Sequence, residues 1–324
     1  MIKETIYSSS EAVENYRASP NISQSMIKGG SKDNTDAMSF GALVDDYVTM
    51  GDDFYSKYVV STLPEVQPAF KQLVKYSFDC IVANKETLAE HIEDKILSYL
   101  IIGMKVFNVQ SKWTDETRVS KMSELIPNVM FMLKNIGKIV ISKDEIEKLE
   151  EYAYMIEGCI KEIDSIEYAF GQTKCTFQVP LFGEFKGIKT KGLLDCVIAP
   201  YKGSIAENEC VIIDIKCTHN VAMFAKTALD FRYDVQISFY RELMESYGVT
   251  VRNCYIIACD GNEAVALKLH ETDLLIGKFG ISSSSINYVV SEPVLVEYKK
   301  KGWIEMLHDY IKPKKKPFRI HGTK

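Results

Sequence analysis

Residues 192–200, GLLDCVIAP, and residues 209–218, ECVIIDIKCT, decide how this chain folds. Each is a short run of aliphatic and β-branched residues, the pattern of a strand, and the polar stretch from Tyr201 to Glu209 reads as the hairpin loop between them. In an antiparallel pair, residues whose numbers have a constant sum lie opposite each other. Closing the hairpin symmetrically about its loop therefore sets Asp195 across from Asp214. Opposed residues hold their Cβ atoms about 4.5–5.5 Å apart. Side chains alternate along a strand, so Lys216 shares the face of Asp214, while Ile213 and Ile215 point the other way into a core.

Two like charges side by side destabilise a strand pair unless something compensates them. A divalent cation would do so, and magnesium takes one or two carboxylates together with water and substrate phosphate. The adjacent Lys216 could then steady or deprotonate an attacking water and stabilise charge growing on phosphorus. The plainer reading is an Asp–Asp–Lys cluster on a solvated strand face. Other acid-x-Lys triplets occur, at Glu93-Asp94-Lys95, Glu184-Phe185-Lys186 and Glu297-Tyr298-Lys299. What sets Asp214-Ile215-Lys216 apart is its apolar lead-in, Val211-Ile212-Ile213, and an acid at the mirror position of the preceding strand.

Outward from the hairpin, the grammar of the chain changes near Tyr168. Before it, residues 36–60, 85–104, 114–136 and 143–163 carry apolar residues near helical spacing. After it, CTFQVPLFGEF (175–185) joins the two hairpin segments as an antiparallel meander. A helix is expected over residues 230–247, with further strands at 254–259 and 264–269 and a loop at Ser282–Ser285. The expected domains are a mainly helical region over 1–165, a core over 166–298 and a basic tail over 299–324.

Composition bounds the function classes. The 324 residues are 46% hydrophobic and 26% charged, ordinary for a globular protein. No secretory signal opens the chain, and the strongest apolar run, Ile96–Met104, is too short to cross a bilayer. A cytoplasmic protein without a membrane segment is expected. Eight cysteines with no CxxC read as reduced thiols, and the five histidines offer no HxxxH zinc spacing. The net charge of −5 argues at first against a nucleic-acid partner. It is the resultant of a −12 body, with nine acids in residues 143–167, and a +7 tail containing KPKKKPFR. Such a tail suits an arm lying on phosphate.

The segments LLD (193–195) and IIDIKCT (212–218) resemble the core of the PD-(D/E)XK nuclease superfamily. The downstream stretch FAKTALDFRYDVQISFY (224–240) resembles its RecE-like, RecB-type branch, which includes many phage-encoded exonucleases and carries a Q-x-x-x-Y motif, here Gln236 and Tyr240. Those two share one helical face, which Tyr233 joins. SPNISQSMIK (19–28) and FGALVDDYV (40–48) are similar to the N-terminal segment of the family, in which a histidine four residues after a glycine completes the metal site. Here Gly41 is followed by Asp45, which ligates magnesium as well as histidine does, and Asp46 is the fallback ligand. Leu194 stands where the superfamily name has proline.

The resemblance implies an α/β fold, a restriction-endonuclease-like core with a central mixed sheet flanked by helices and a helical N-terminal region. It implies a Mg2+- or Mn2+-dependent DNA exonuclease acting on double-stranded ends in recombination or DNA processing, in a bacterial or phage-infected cytoplasm. Asp195, Asp214, Asp45 and the Ile215 carbonyl would be metal ligands, Lys216 the catalytic ammonium, and Gln236, Tyr240 and Tyr233 would position DNA or the lysine. Implied partners besides DNA are a single-strand annealing recombination protein and further copies of the chain. The rival readings are a catalytically silent nucleic-acid-binding or assembly protein on a nuclease fold, and a structure-specific endonuclease or Cas4-like nuclease.

Overall fold

The structure, a computed structural model, describes residues 2–27, 36–87, 90–110, 112–168, 172–201, 208–289 and 292–311. The chain forms two compact units, residues 1–51 with 149–324, and residues 52–148. The first unit begins with β1 (Ile2–Tyr7), α1 (Ser10–Ala18), β2 (Ile22–Ser23), α2 (Gln24–Ile27) and α3 (Asp36–Met50). The second holds α4 (Phe54–Lys57), β3 (Tyr58–Val60), α5 (Pro68–Ala83), α6 (Ile92–Val106), α7 (Asp115–Ser123), α8 (Ile126–Lys134) and β4 (Ile139–Ile141). Helix α9 (Lys143–Glu167) leads back into the first unit, which continues with β5 (Thr173–Phe185), β6 (Ile188–Pro200) and β7 (Glu209–Cys217). Then come α10 (Phe224–Asp230), α11 (Tyr233–Glu245), β8 (Thr250–Cys259), β9 (Ala264–Lys268), α12 (Glu271–Phe279), β10 (Gly280–Val289), β11 (Glu292–Lys301) and α13 (Trp303–Ile311).

The first unit is α/β, a mixed seven-stranded sheet in the order β1-β5-β6-β7-β8-β9, with β2 pairing β6. Strands β5, β6 and β7 are antiparallel, β7 and β8 parallel, and β1 runs parallel to β5. Strand β7 is central and buried on both sides, which is why its sequence is an almost unbroken apolar run. Its even-numbered Cys210 and Ile212, with Cys254, Ile256 and Ala258 of β8, pack against Val235, Phe239 and Leu243 of α11 and Trp303 and Leu307 of α13. The opposite face carries α9 and α3. Glu167 of α9 accepts from the Tyr255 hydroxyl, Thr173 donates to Asp164 (2.5 Å), and Gln178 of β5 donates to Thr49 of α3 (2.8 Å).

The second unit builds its own core from Leu73, Val74 and Ile81 of α5, Ile96, Leu100 and Met104 of α6, and Met122, Leu125 and Val129. Strands β3 and β4 close it as a two-stranded parallel pair.

Several expectations are corrected. The compact units do not divide at residue 165: β1 and β2 from the N-terminal region are strands of the main sheet, and most of α9 lies in the same unit. Helix α5 stands where no helix was expected. The serines at 282–285 lie in β10, where pairing with β11 supplies the backbone hydrogen bonds that their side chains do not encode. Nor is the chain from residue 299 a free tail. Residues 299–301 end β11, and Trp303 and Leu307 of α13 are each 1% exposed in the core. The basic stretch 312–324 lies outside the described residues.

Candidate active site

The β6–β7 ladder pairs Cys196 with Ile213, Val197 with Ile212 and Ile198 with Val211, the register expected from a symmetric loop. One residue beyond it stand Asp195 and Asp214. The Ile215 N–H donates to Asp195 Oδ2 at 2.8 Å, so this carboxylate is tied to the backbone of the facing strand. Asp214 is 1% exposed, and its Oδ1 accepts from Gln236 Nε2 at 2.8 Å. The same Gln236 nitrogen lies 3.2 Å from the Tyr240 hydroxyl, so the two α11 residues four apart meet the carboxylate as one unit.

Three oxygens converge on one cationic atom. Lys216 Nζ is 2.6 Å from Asp214 Oδ2, 3.2 Å from the Ile215 carbonyl oxygen and 4.0 Å from Asp195 Oδ2. Asp214 Oδ2 is buried, and the Lys216 ammonium 2.6 Å away is its charged partner. The ring of Tyr233 lies 5.3 Å from the same ammonium and closes it from the α11 side.

The electrostatics follow from this crowding. Burial, together with the charges of Asp45 and Asp214, pushes Asp195 well above the usual carboxylate range against the pull of Lys216 and the Ile215 N–H. Burial alone would make Lys216 easier to deprotonate, but the Asp214 and Asp195 carboxylates override it and hold the ammonium protonated. Tyr240 is raised by burial and by the same two carboxylates, so its phenol stays neutral. Burial and the neighbourhood of Cys259 and Asp45 push the Cys217 thiol up to about 12, which leaves it an inert side chain beside the lysine.

Helix α3 brings Asp45 to this end of the sheet. A Cβ on Gly41 would stand 3.6 Å from Cys217 Cβ, so the helix lies close to the end of β7, and Asp45 follows one turn later on the same helical face. The charge of Asp45 acts on both Asp195 and Cys217. Among the described residues no three His, Cys, Asp or Glu side chains stand together as a ready metal cluster. Asp195, Asp214 and the Ile215 carbonyl nonetheless fit a hard divalent cation by donor type. All are oxygens, two are anionic, and they already surround a positive charge.

Sequence reasoning missed three supports. Gly192 lets α11 approach β6, since a Cβ there would meet Leu243 Cδ1 at 2.9 Å and the Tyr240 ring at 3.0 Å. A glycine inside a strand pattern is a readable sign of such an approach. Lys191 is buried, donates to the carbonyls of Tyr16 (2.7 Å) and Ser19 (2.8 Å), and sits 4.7 Å from the Tyr16 ring, pinning the end of α1 to β6. The third is Tyr16 itself, which is near enough to add to the raising of Tyr240. No local pattern marks either of the last two.

No protein-family model matches the chain, and no curated protein sequence does. A solved structure from Eubacterium rectale named "Putative exonuclease" is similar over 66% of this chain and 80% of its own, at 17% identity and a TM-score of 0.28, a likeness too slight to bear on fold or function.

Proposed function

We propose that this chain is a metal-dependent nuclease that hydrolyses DNA phosphodiester bonds, working from the ends of double-stranded DNA as its sequence resemblance implies. The observation that carries the reading is the convergence of Asp214 Oδ2, the Ile215 carbonyl and Asp195 Oδ2 on Lys216 Nζ at the splayed end of two strands. A structural ion pair needs one carboxylate for one ammonium. This site gathers two, buries Asp214, half-buries Asp195 and raises it, which is the cost of a binding site rather than of a stabilising contact.

Asp195, Asp214 and the Ile215 carbonyl would hold a divalent cation, with Asp45 as a further ligand from α3. When bound, such a cation supplies an activated water and polarises a phosphoryl oxygen. The residues of the chain do the rest. Lys216, held protonated, places positive charge where a scissile phosphate gains negative charge. Gln236 fixes the rotamer of Asp214 through Oδ1, leaving Oδ2 turned toward the lysine. Tyr240, kept neutral, holds Gln236 in turn, and Tyr233 keeps the ammonium from swinging into solvent.

Purified protein with magnesium or manganese is expected to degrade linear duplex DNA and to leave closed circular DNA intact. Lys216→Ala and Asp214→Asn should each lower the rate by about 100-fold or more, with the circular dichroism spectrum unchanged. Equal inertness of wild type and Asp214→Asn with both metals on linear, nicked and single-stranded DNA would refute the nuclease reading. Cleavage of closed circles would instead make it an endonuclease.

A further inference from the structure

Beside the candidate site, an aromatic ladder runs from the core to the surface. Its inner rung, Phe224, is 1% exposed and stacks on Tyr233 at 5.9 Å between centroids with 21° between planes. Tyr233 stacks on Phe231 at 6.1 Å and 25°, and Phe231, the outer rung, is 60% exposed. The middle rung is the ring that faces the Lys216 ammonium at 5.3 Å. A single exposed phenylalanine is ordinary on a protein surface. This one is held in place by a built turn. Its N–H donates to the Thr227 carbonyl at 2.9 Å, and the next residue, Arg232, takes a left-handed backbone with φ 57°. A non-glycine residue keeps that conformation only where its neighbours over-determine it. Here they do: the Arg232 guanidinium donates to the Asp234 carboxylate through Nε and Nη2, each at 2.9 Å, and to the Lys301 carbonyl through Nη1 at 2.9 Å.

We infer that Phe231 stacks on a nucleobase of the strand whose phosphate lies at Lys216, and is a substrate-positioning residue. The inference rests on the nucleic-acid reading of the site given above. Two steps, of 5.3 Å and 6.1 Å, separate Lys216 Nζ from the Phe231 centroid. At about 3.4 Å per stacked nucleotide, the base it meets lies within about three nucleotides of the reacting phosphate. An aromatic side chain takes the face of a base only where the base has left its own stack, so the substrate class is DNA with a frayed or single-stranded end. Such stacking tolerates any sequence, because every base has a π face. It would hold the strand while its phosphate is aligned on Lys216.

The test uses the full chain and a duplex whose short single-stranded end carries 2-aminopurine within about three nucleotides of the junction, with binding read in chelator and hydrolysis read separately with manganese. Wild type is expected to quench the 2-aminopurine on binding. Phe231→Trp should retain the quench, whereas Phe231→Ala and Phe231→Leu should lose it and bind about 5- to 100-fold more weakly. Leucine keeps apolar bulk without a π face, so its failure separates stacking from packing. Because Phe231 is exposed, the variants are expected to fold, and the thermal midpoint checks this. Hydrolysis with a quench that survives Phe231→Ala would overturn the inference and leave the nuclease reading standing. No hydrolysis, with a quench that depends on Phe231, would do the reverse. Loss of neither quench nor affinity in Phe231→Ala, with altered sedimentation, would make Phe231 a protein contact and overturn the inference.

Discussion

At the scale of single residues, Gln236 shows how a neutral side chain governs charged ones. Its amide nitrogen is shared between Asp214 Oδ1 and the Tyr240 hydroxyl, and it spends no charge in doing so. An alanine there would free Asp214 to turn both oxygens toward Lys216 and collapse the cradle into a simple ion pair. Partners that orient ligands in this way are worth about 10- to 100-fold in metal affinity or activity. Gln236→Ala is therefore expected to weaken manganese binding by about 10- to 100-fold, measured by calorimetry, and to cost about 1–3 kcal/mol of stability, because a buried carboxylate oxygen loses its donor. Unaltered manganese affinity would show that Asp214 is oriented by Lys216 alone. The pairing of Gln236 with Tyr240 was legible from their spacing of four. The resemblance gave them DNA or the lysine to position; the bond from Gln236 to Asp214, 22 residues away, was not legible, because no spacing rule links a strand to the helix that follows it.

At the scale of elements, the site depends on how closely α11 lies to its neighbours. Gly192 lets the helix approach β6, and Gly277 of α12 does the same on the other side. A Cβ on Gly277 would run into the Asp234 carbonyl and stand 2.9 Å from Ser238 Cβ, and those two residues bracket Gln236 along α11. Backbone cannot yield as a flexible side chain can, so the helix would have to shift. Gly277→Ala is expected to cost about 1–3 kcal/mol in urea unfolding and to lower hydrolysis together with stability. Full activity at lowered stability would mean that α12 can retreat while α11 stays. The amphipathic patterns of α6 and α9 were readable because each buries one stripe, whereas the single helical stretch read over 114–136 is two helices, α7 and α8. Strands β1 and β2 were not readable, since Glu4 breaks the alternation of Ile2 and Ile6 in β1 and two residues are too few to show a period in β2, and their place is decided by open edges of β5 and β6.

At the scale of the molecule, Glu167 ties the end of α9 to the sheet. It accepts from Tyr255 and from Asn253 (2.7 Å), and Arg252 and Lys268 stand 3.3 Å and 3.5 Å away. Burial by itself would raise this carboxyl, but the hydrogen bonds from Tyr255 and Asn253 and the charge of Lys268 hold it below 4.5. A carboxyl lowered in the folded state favours folding when ionised. Its contribution is complete above 4.5 and is lost as pH falls through the depressed folded value. Urea midpoints measured from neutral pH downward should fall below pH 4.5, and Glu167→Gln should flatten that part of the curve while costing about 1–3 kcal/mol at neutral pH. An unchanged acid limb would place the pH-sensitive anchor elsewhere. Among the described residues no helix is long and apolar enough to cross a membrane.

Read alone, the amino-acid sequence determined the strand pairing and the charged face of the β6–β7 hairpin, because a short connection and a period of two leave one register that buries the isoleucines. It also determined the common face of Tyr233, Gln236 and Tyr240, which helical geometry imposes. Only the tertiary structure decided that β1 and β2 complete the sheet, that Trp303 and Leu307 draw the chain after residue 299 into the core, and that α3 brings Asp45 near Asp195. The division has a physical cause. Periodicity records which side of an element is buried, while the choice of neighbour is made by shape and hydrogen bonding between residues far apart in the chain, as when the ammonium of Lys191 finds the carbonyls that end α1.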